Sequence, residues 1–301
     1  MAILNMMHKT YTIMFWVSIL MVVASVAMLF VFGLKFGVDF KGGSVVELNF
    51  KNGRPGIEAI NTALADKDVL LSPSGTDGLI IRTRELTESN HQIILGKLNS
   101  TFPSAGLEEK KFDSVGPIIG NELKSKSINA IILVLVSVMI YIAIVFRKLS
   151  RFLSPWSLGG AAIIALMHDV VIPAGVFAWL GHAYGVEISA VFVAAVLTIL
   201  GFSVSDTVVV FDRVRENLIR GGAKDGLGTV VHRSIMQTLT RSLNTTLTVI
   251  LSLVAIYFFG GESIKYFALA LIMGFFFGAY SSIFVASPLL VWWNKGGHKL
   301  G

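Results

Sequence analysis

The 301-residue chain is 54% apolar and only 15% charged, which puts it outside the range of ordinary soluble domains. It has no cysteine, so disulfides, thiolate metal sites and thiol catalysis are excluded. The formal charge of +6 would suit an anionic partner such as nucleic acid if it were clustered. Instead the Lys and Arg punctuate long apolar runs, and the composition describes a multi-span membrane protein.

A helix needs about 20 mostly apolar residues to cross about 30 Å of hydrocarbon. Six segments qualify: Tyr11 to Phe32, Ser127 to Phe146, Ser154 to Leu180, Ile188 to Phe211, Ser242 to Phe259 and Tyr266 to Trp293. The first follows Lys9 but has no convincing Ala-x-Ala site, so it reads as a retained span and not as a cleaved signal. An even number of spans puts both termini on one side. With the termini inside, that side holds Lys9, Arg147, Lys148, Arg151, the six basic residues from Arg213 to Arg241, Lys295 and Lys299, whereas the short outer loops hold only Lys265. The asymmetry places both termini in the cytoplasm. The sequence divides into residues 1–35 (cytoplasmic N-terminus and span one), 36–122 (an extracytoplasmic domain) and 123–301 (spans two to six with a cytoplasmic C-terminus).

The outer domain has a legible pattern. Ser44 to Phe50 alternates like a strand, and Ile57, Ile60 and Leu64 follow Pro55 at helical spacing. Asp68 to Ser72 and Leu79 to Arg84 read as strands around a Pro-Ser-Gly-Thr-Asp-Gly turn. Leu86 to Phe102 reads as a helix with Thr87 as N-cap, and Gly106 to Val115 as a last edge strand. The order βαββαβ is that of the ferredoxin-like split unit, which hosts many functions. The domain is either a structural cap or a surface for an exported chain or partner subunit. His91 has no second ligand at metal spacing and reads as a surface histidine.

Soluble-enzyme motifs are absent from the sequence. Gly96-Lys97 is followed by Leu98 and so makes no phosphate loop, and there is no G-x-G-x-x-G, H-E-x-x-H or G-x-S-x-G. The chain reads as a non-enzyme without metal or organic cofactor, whose energy would come from the membrane itself.

Charged side chains inside the hydrocarbon cost about 2.5 to 3.5 kcal/mol on insertion scales and mark ion or proton routes by default. Asp169, preceded by His168, lies midway along span three. Asp206 lies about 8 to 9 Å above the end of span four, and Arg241 opens span five from the same side. Burial disfavours a carboxylate anion and a nearby guanidinium favours it, so a helix movement separating Asp206 from Arg241 would drive proton uptake. A static ion pair pinning two helices is the alternative. Ser203, Ser205, Thr207, Ser242, Asn244, Thr245 and Thr246 are the hydroxyls and amide placed to hold water beside the pair. His168-Asp169 is a second, weaker candidate for proton coupling; the alternative is structural, since Pro173 suggests a broken helix whose freed carbonyls these side chains satisfy. Asp212, Arg213, Arg215 and Glu216 read as a helix end at the membrane surface. Gly274 and Gly278 form a small-xxx-small pair for close helix approach, within the chain or to a partner.

Five motifs, "FGVDFKGGSVVEL", "SVGPIIGNEL", "ALMHDVV", "SDTVVVFDRVREN" and "TRSLNTTLT", resemble in order those of the SecD/SecF family of protein-export membrane proteins, within the RND superfamily. Thr207-Val208 after the span-four Asp and an outer domain of under ninety residues are more similar to the SecF branch. The resemblance implies an auxiliary subunit that pairs with SecD, associates with SecYEG and with YajC in a bacterial inner membrane, and uses the proton-motive force to help draw unfolded polypeptides outward. It also implies that Asp206 is the proton-linked carboxylate and Arg241 its partner arginine. Ser205 stands where the family commonly has Asn. The coupling ion, H+ or Na+, is left open by a carboxylate with hydroxyl neighbours. Two other readings stay in view: an RND-type small-molecule or lipid exporter half, and a non-conducting scaffold for SecD.

Overall fold

The structure, a computed structural model, describes residues 2–84, 86–147, 153–221 and 226–294. Of the basic residues used above to orient the chain, Lys148, Arg151, Lys224, Lys295 and Lys299 lie outside the described residues. The chain forms two compact units: residues 36–128 with 187–190, and residues 1–35, 129–186 and 191–301. The segment 187–190, of which the apolar pattern assigns 188–190 to span four, thus belongs with the outer domain.

In the outer unit, a short helix α2 (Val38–Lys41) precedes β1 (Gly43–Phe50), α3 (Ile57–Ala63), β2 (Val69–Ser74), β3 (Gly78–Thr83), α4 (Glu88–Thr101) and β4 (Leu107–Val115). The strands pair antiparallel in the order β2-β3-β1-β4. This is the ferredoxin-like arrangement that the βαββαβ order predicts. Alternation in β1 turns Val46, Leu48 and Phe50 inward, where they meet Ile60, Leu64, Leu79, Ile81, Ile94 and Leu98. Each such side chain contributes about 1.5 to 3 kcal/mol by burial. Thr87 does cap α4, accepting from the Asn90 amide at 3.4 Å.

The Gly42-Gly43 pair has a physical reason. Both residues have positive φ, 75° and 127°, and a Cβ on Gly42 would lie 2.7 Å from Pro117 Cα. Only glycine lets the start of β1 turn against the start of the next long helix. Close by, the Asp39 carboxylate accepts from the Ala190 amide at 2.7 Å, and Arg82 pairs with Glu187 at 3.1 Å. These two bonds tie residues 187–190 to the outer unit.

The membrane unit is built from α1 (Ala2–Phe32), α5 (Pro117–Val145), α6 (Pro155–Tyr184), α7 (Ala190–Gly221), α8 (Leu227–Phe259), α9 (Glu262–Ser281) and α10 (Ser287–Asn294). A single wide π turn, Ser282–Ala286, joins α9 to α10, so these two make one span and the described residues hold six candidate membrane spans. The π turn has a local cause. Pro288 cannot donate the amide that an α-helix would need at that point, and the Ser287 hydroxyl bonds the Ser282 carbonyl at 2.7 Å across the widened turn. Small residues let the helices approach. A Cβ on Gly175 of α6 would meet Ser25 of α1 at 2.5 Å, and Gly274 and Gly278 of α9 lie against Ile199 and Ser203 of α7. The small-xxx-small pair therefore serves packing within the chain.

Several boundaries differ from the hydropathy reading. α7 continues to Gly221, so Asp212 to Glu216 lie within a helix; they pair one turn apart, Arg215 with Asp212 at 2.7 Å and Arg213 with Glu216 at 2.6 Å. α8 starts at Leu227, and Val230, Val231 and Ile235 pack with Val210, Phe211, Val214 and Leu290. Arg241 thus sits well inside a continuous helix and not at its opening. Polar residues interrupt the apolar run there, but the buried stripe continues through them at helical spacing.

Candidate ion-coupling site

Among the described residues, Asp169 and Asp206 are the carboxylates set within apolar stretches of the spans, and their surroundings differ. Asp169 on α6 is fully buried. Its Oδ1 meets His168 Nδ1 at 2.8 Å, and its Oδ2 accepts from Ser203 of α7 at 2.5 Å and from Ser281 of α9 at 2.8 Å. Three helices thus close on one carboxylate. α6 runs unbroken through Pro173, and the His168 and Asp169 side chains bond hydroxyls and each other. The expectation that they serve carbonyls freed by a broken helix is not met. The imidazole of His168 lies nearly parallel to Tyr280, 14° between planes and 6.0 Å between centroids, and its Nε2 is buried without a hydrogen bond.

Asp206 on α7 is only partly buried, and its Oδ2 makes no hydrogen bond. The hydroxyls of Ser242 and Ser282 and the charge of Arg241 act on it. Asp206 and Arg241 form no salt bridge among the described residues, so the contact pair that the sequence suggested is instead a longer-range interaction, and Arg241 is exposed. Beside Asp206 on α8, Ser242 and Thr246, one helical turn apart and both buried, likewise have hydroxyl oxygens without hydrogen bonds. Buried polar groups are rarely left unpaired. Asp206 Oδ2 on α7 and the nearby Ser242 Oγ on α8, with Thr246 one turn further along α8, form a polar site suited to water or a small cation.

Of the remaining residues expected there, Thr207 is buried and bonds Ser282 at 2.9 Å. Ser205 and Asn244 are exposed, and Thr245 is exposed with its hydroxyl turned back to the Arg241 carbonyl at 2.9 Å. Hydropathy gave no reason to single out Ser281, Ser282, Ser287 or Tyr280. Their signal was present in the run "AYSSIFVAS", three serines inside an otherwise apolar span, all fully buried.

The outer unit's His91 is not a surface residue. It is buried, stacked on Phe112 with centroids 4.0 Å apart, and flanked by Glu109 at 3.3 Å and Glu88 at 3.6 Å. The helical face of α4 that carries Ile94 and Leu98 also carries position 91, which turns it toward the sheet.

The sequence families described as protein export membrane protein SecD/SecF, C-terminal, and SecD/SecF GG motif match residues 95–296 and 27–53. The chain belongs to the SecD/SecF family of protein-export membrane proteins. Among its relatives in that family, a protein translocase subunit SecF of Thermobaculum terrenum is 42% identical, over 92% of this chain and 90% of that protein. A Synechocystis SecF is 40% identical over 86% of this chain and 82% of the relative. The Brucella abortus SecDF is 38% identical over 91% of this chain, which spans only 35% of that longer protein. The crystal structure of SecDF from Thermus thermophilus, a translocon-associated membrane protein, matches 95% of this chain with a TM-score of 0.79 and 31% identity, and this chain covers 38% of it. In that family setting the GG motif is the Gly42-Gly43 turn whose packing is described above.

Proposed function

We infer that this chain is an auxiliary subunit of the Sec protein translocase, a multi-pass protein of a bacterial inner membrane that associates with SecD, and that it draws on an ion gradient through Asp206. The translocase role follows from SecF relatives that align over nearly their whole length. The association with SecD is supported by the fused SecDF relative and the SecDF structure. The relatives are named as translocase subunits, not as enzymes. Further partners under this reading are SecYEG, YajC and unfolded exported polypeptides, with both termini in the cytoplasm.

One observation carries the coupling proposal: Asp206 Oδ2 on α7 and Ser242 Oγ and Thr246 Oγ1 on α8 are buried without hydrogen bonds. A structural carboxylate is satisfied by its neighbours, as Asp169 is. A carboxylate that must gain and lose a proton, or exchange a cation, has to keep an unfilled coordination position. The inward stripe of α7, with Ser203 and Thr207 already bonded, leaves Asp206 as the group free to change partners. Taking one elementary charge through about 100 mV is worth about 2.3 kcal/mol, enough to shift a two-state helix arrangement substantially.

The test is export of a preprotein into inverted vesicles carrying the SecD complex. Asp206→Asn should abolish the part of export that depends on the ion gradient while leaving assembly with SecD intact. Varying H+ and Na+ gradients separately identifies the ion. Gradient-dependent export that survives Asp206→Asn contradicts the coupling role.

A further inference from the structure

Ser281 and Ser282 are adjacent, fully buried, and placed where α9 gives way to the π turn. Successive residues on a helix point about 100° apart, so the two hydroxyls reach different neighbours. Ser281 donates to Asp169 Oδ2 at 2.8 Å, while Ser282 bonds Thr207 at 2.9 Å, and Thr207 follows Asp206 on α7. Ser282 also lies near the Asp206 carboxyl. The two carboxylates are therefore linked through one dipeptide. Beyond Asp169, the contacts continue through His168 to the ring of Tyr280. The Tyr280 hydroxyl donates to the Met14 carbonyl of α1 at 2.7 Å and accepts from Ser18 at 3.4 Å.

We propose that Ser281 and Ser282 are positioning residues that couple Asp206 to the Asp169–His168 cluster and, through Tyr280, to α1, the helix whose chain runs by way of Gly33 into the outer domain. The proposal rests on the coupling role of Asp206. Ser282 donates to the Gly278 carbonyl at 3.0 Å and accepts from Thr207. When Asp206 is ionised and without a cation, the Ser282 hydroxyl has a competing acceptor; switching its donated bond releases the Gly278 carbonyl and reorients the oxygen that Thr207 donates to. The widened π turn, held by Ser287, gives residues 282–286 room to adjust without breaking α9. Coupling through packed and hydrogen-bonded groups needs elements with two arrangements, and the orphaned polar atoms at Asp206, Ser242, Thr246 and His168 Nε2 mark where a second arrangement would find its partners. The charged or titratable groups facing the ladder are Arg241 toward Asp206 and His168 toward Asp169.

The experiment measures the pH profile of gradient-driven export in vesicles containing the full complex with SecD, for wild type, Ser281→Ala, Ser282→Ala, the double variant and Ser282→Thr. Each alanine variant should move the midpoint by about half a pH unit or more, as expected when a hydroxyl contact to a carboxylate network is removed. The double variant should move it no further than the larger single shift, because both cut one ladder. Ser282→Thr, which keeps a hydroxyl, should restore the wild-type midpoint. A merely structural role would lower the amount of assembled complex and leave the midpoint in place. If an alanine variant does not assemble, Tyr280→Phe tests the α1 end by removing one hydroxyl; it should reduce export at an unchanged midpoint. Unchanged midpoints together with loss of gradient-driven export in Asp206→Asn overturn the ladder and spare the coupling site. Unchanged gradient-driven export in Asp206→Asn overturns the coupling site itself.

Discussion

Asp169→Ala should be among the most destabilising single changes in the membrane unit, and its cost follows from the bonds it removes. Three donors converge on this carboxylate: His168 Nδ1, Ser203 Oγ and Ser281 Oγ. Two of the three cross between helices; interhelical hydrogen bonds in membranes average about 0.6 kcal/mol and reach about 1.7, so losing these two predicts about 1 to 3.5 kcal/mol, to which loss of the His168 contact within α6 adds. The lower half of that range is favoured by Ser281, which retains a bond to the Gly278 carbonyl at 3.2 Å; Ser203 has no such alternative among the bonds described. Asp169→Asn keeps the volume and one acceptor oxygen for the two serines, and its amide can donate to His168 in the other tautomer. It should cost less than half as much. Thermal unfolding of the detergent-purified complex, with denaturant titration to scale the difference, measures both. Equal stability of the alanine and asparagine variants would falsify the reading of Asp169 as a three-donor tie between α6, α7 and α9.

Gly274→Ala should destabilise by about 1 to 3 kcal/mol through overpacking, because the new Cβ would overlap the Ile199 side chain. Adding Ile199→Ala should recover part of that loss, and simple additivity of the two changes in a thermal melt contradicts the packing. Thr87→Ala should cost the outer domain about 1 kcal/mol by removing the cap of α4, read as faster amide exchange in residues 88–91. Arg82→Glu and Glu187→Arg should each loosen residues 187–190 in hydrogen exchange, and the double reversal should restore protection if the 3.1 Å pair is what holds them. Asp66 offers a pH test outside the membrane: the Lys97 ammonium, bonded at 2.6 Å, holds its carboxyl below the usual range of about 3.9. A depressed folded value means the contribution is present above the unfolded value and fades as pH falls through the folded one. Lys97→Gln should raise the Asp66 midpoint in a carboxyl NMR titration, and an unmoved midpoint refutes the assignment.

Much of this protein was legible before any coordinates. Span count follows from run length because the bilayer fixes how many apolar residues a crossing helix needs. The outer domain's order follows from two periodicities, alternation in β1 and three-to-four spacing in α4, each bounded by Gly, Pro or a Thr cap. Asp206 stood out because a charge in an apolar run is costly wherever it points.

Hydropathy misplaced the end of α7 and the start of α8, since a helix does not stop where its surface turns polar if one stripe stays buried. It also read His91 as surface, because a lone polar residue gives no sign of which helical face it occupies. Above all, sequence ranked Asp206 above Asp169 as a proton site but gave no view of how either carboxylate is satisfied. Only the packing of four helices decided that Asp169 is enclosed by donors while Asp206 keeps an open oxygen, because hydrogen-bond satisfaction depends on residues dozens or hundreds of positions away. Ser281 sits 112 residues from the carboxylate it serves, and nothing local to either residue predicts that meeting.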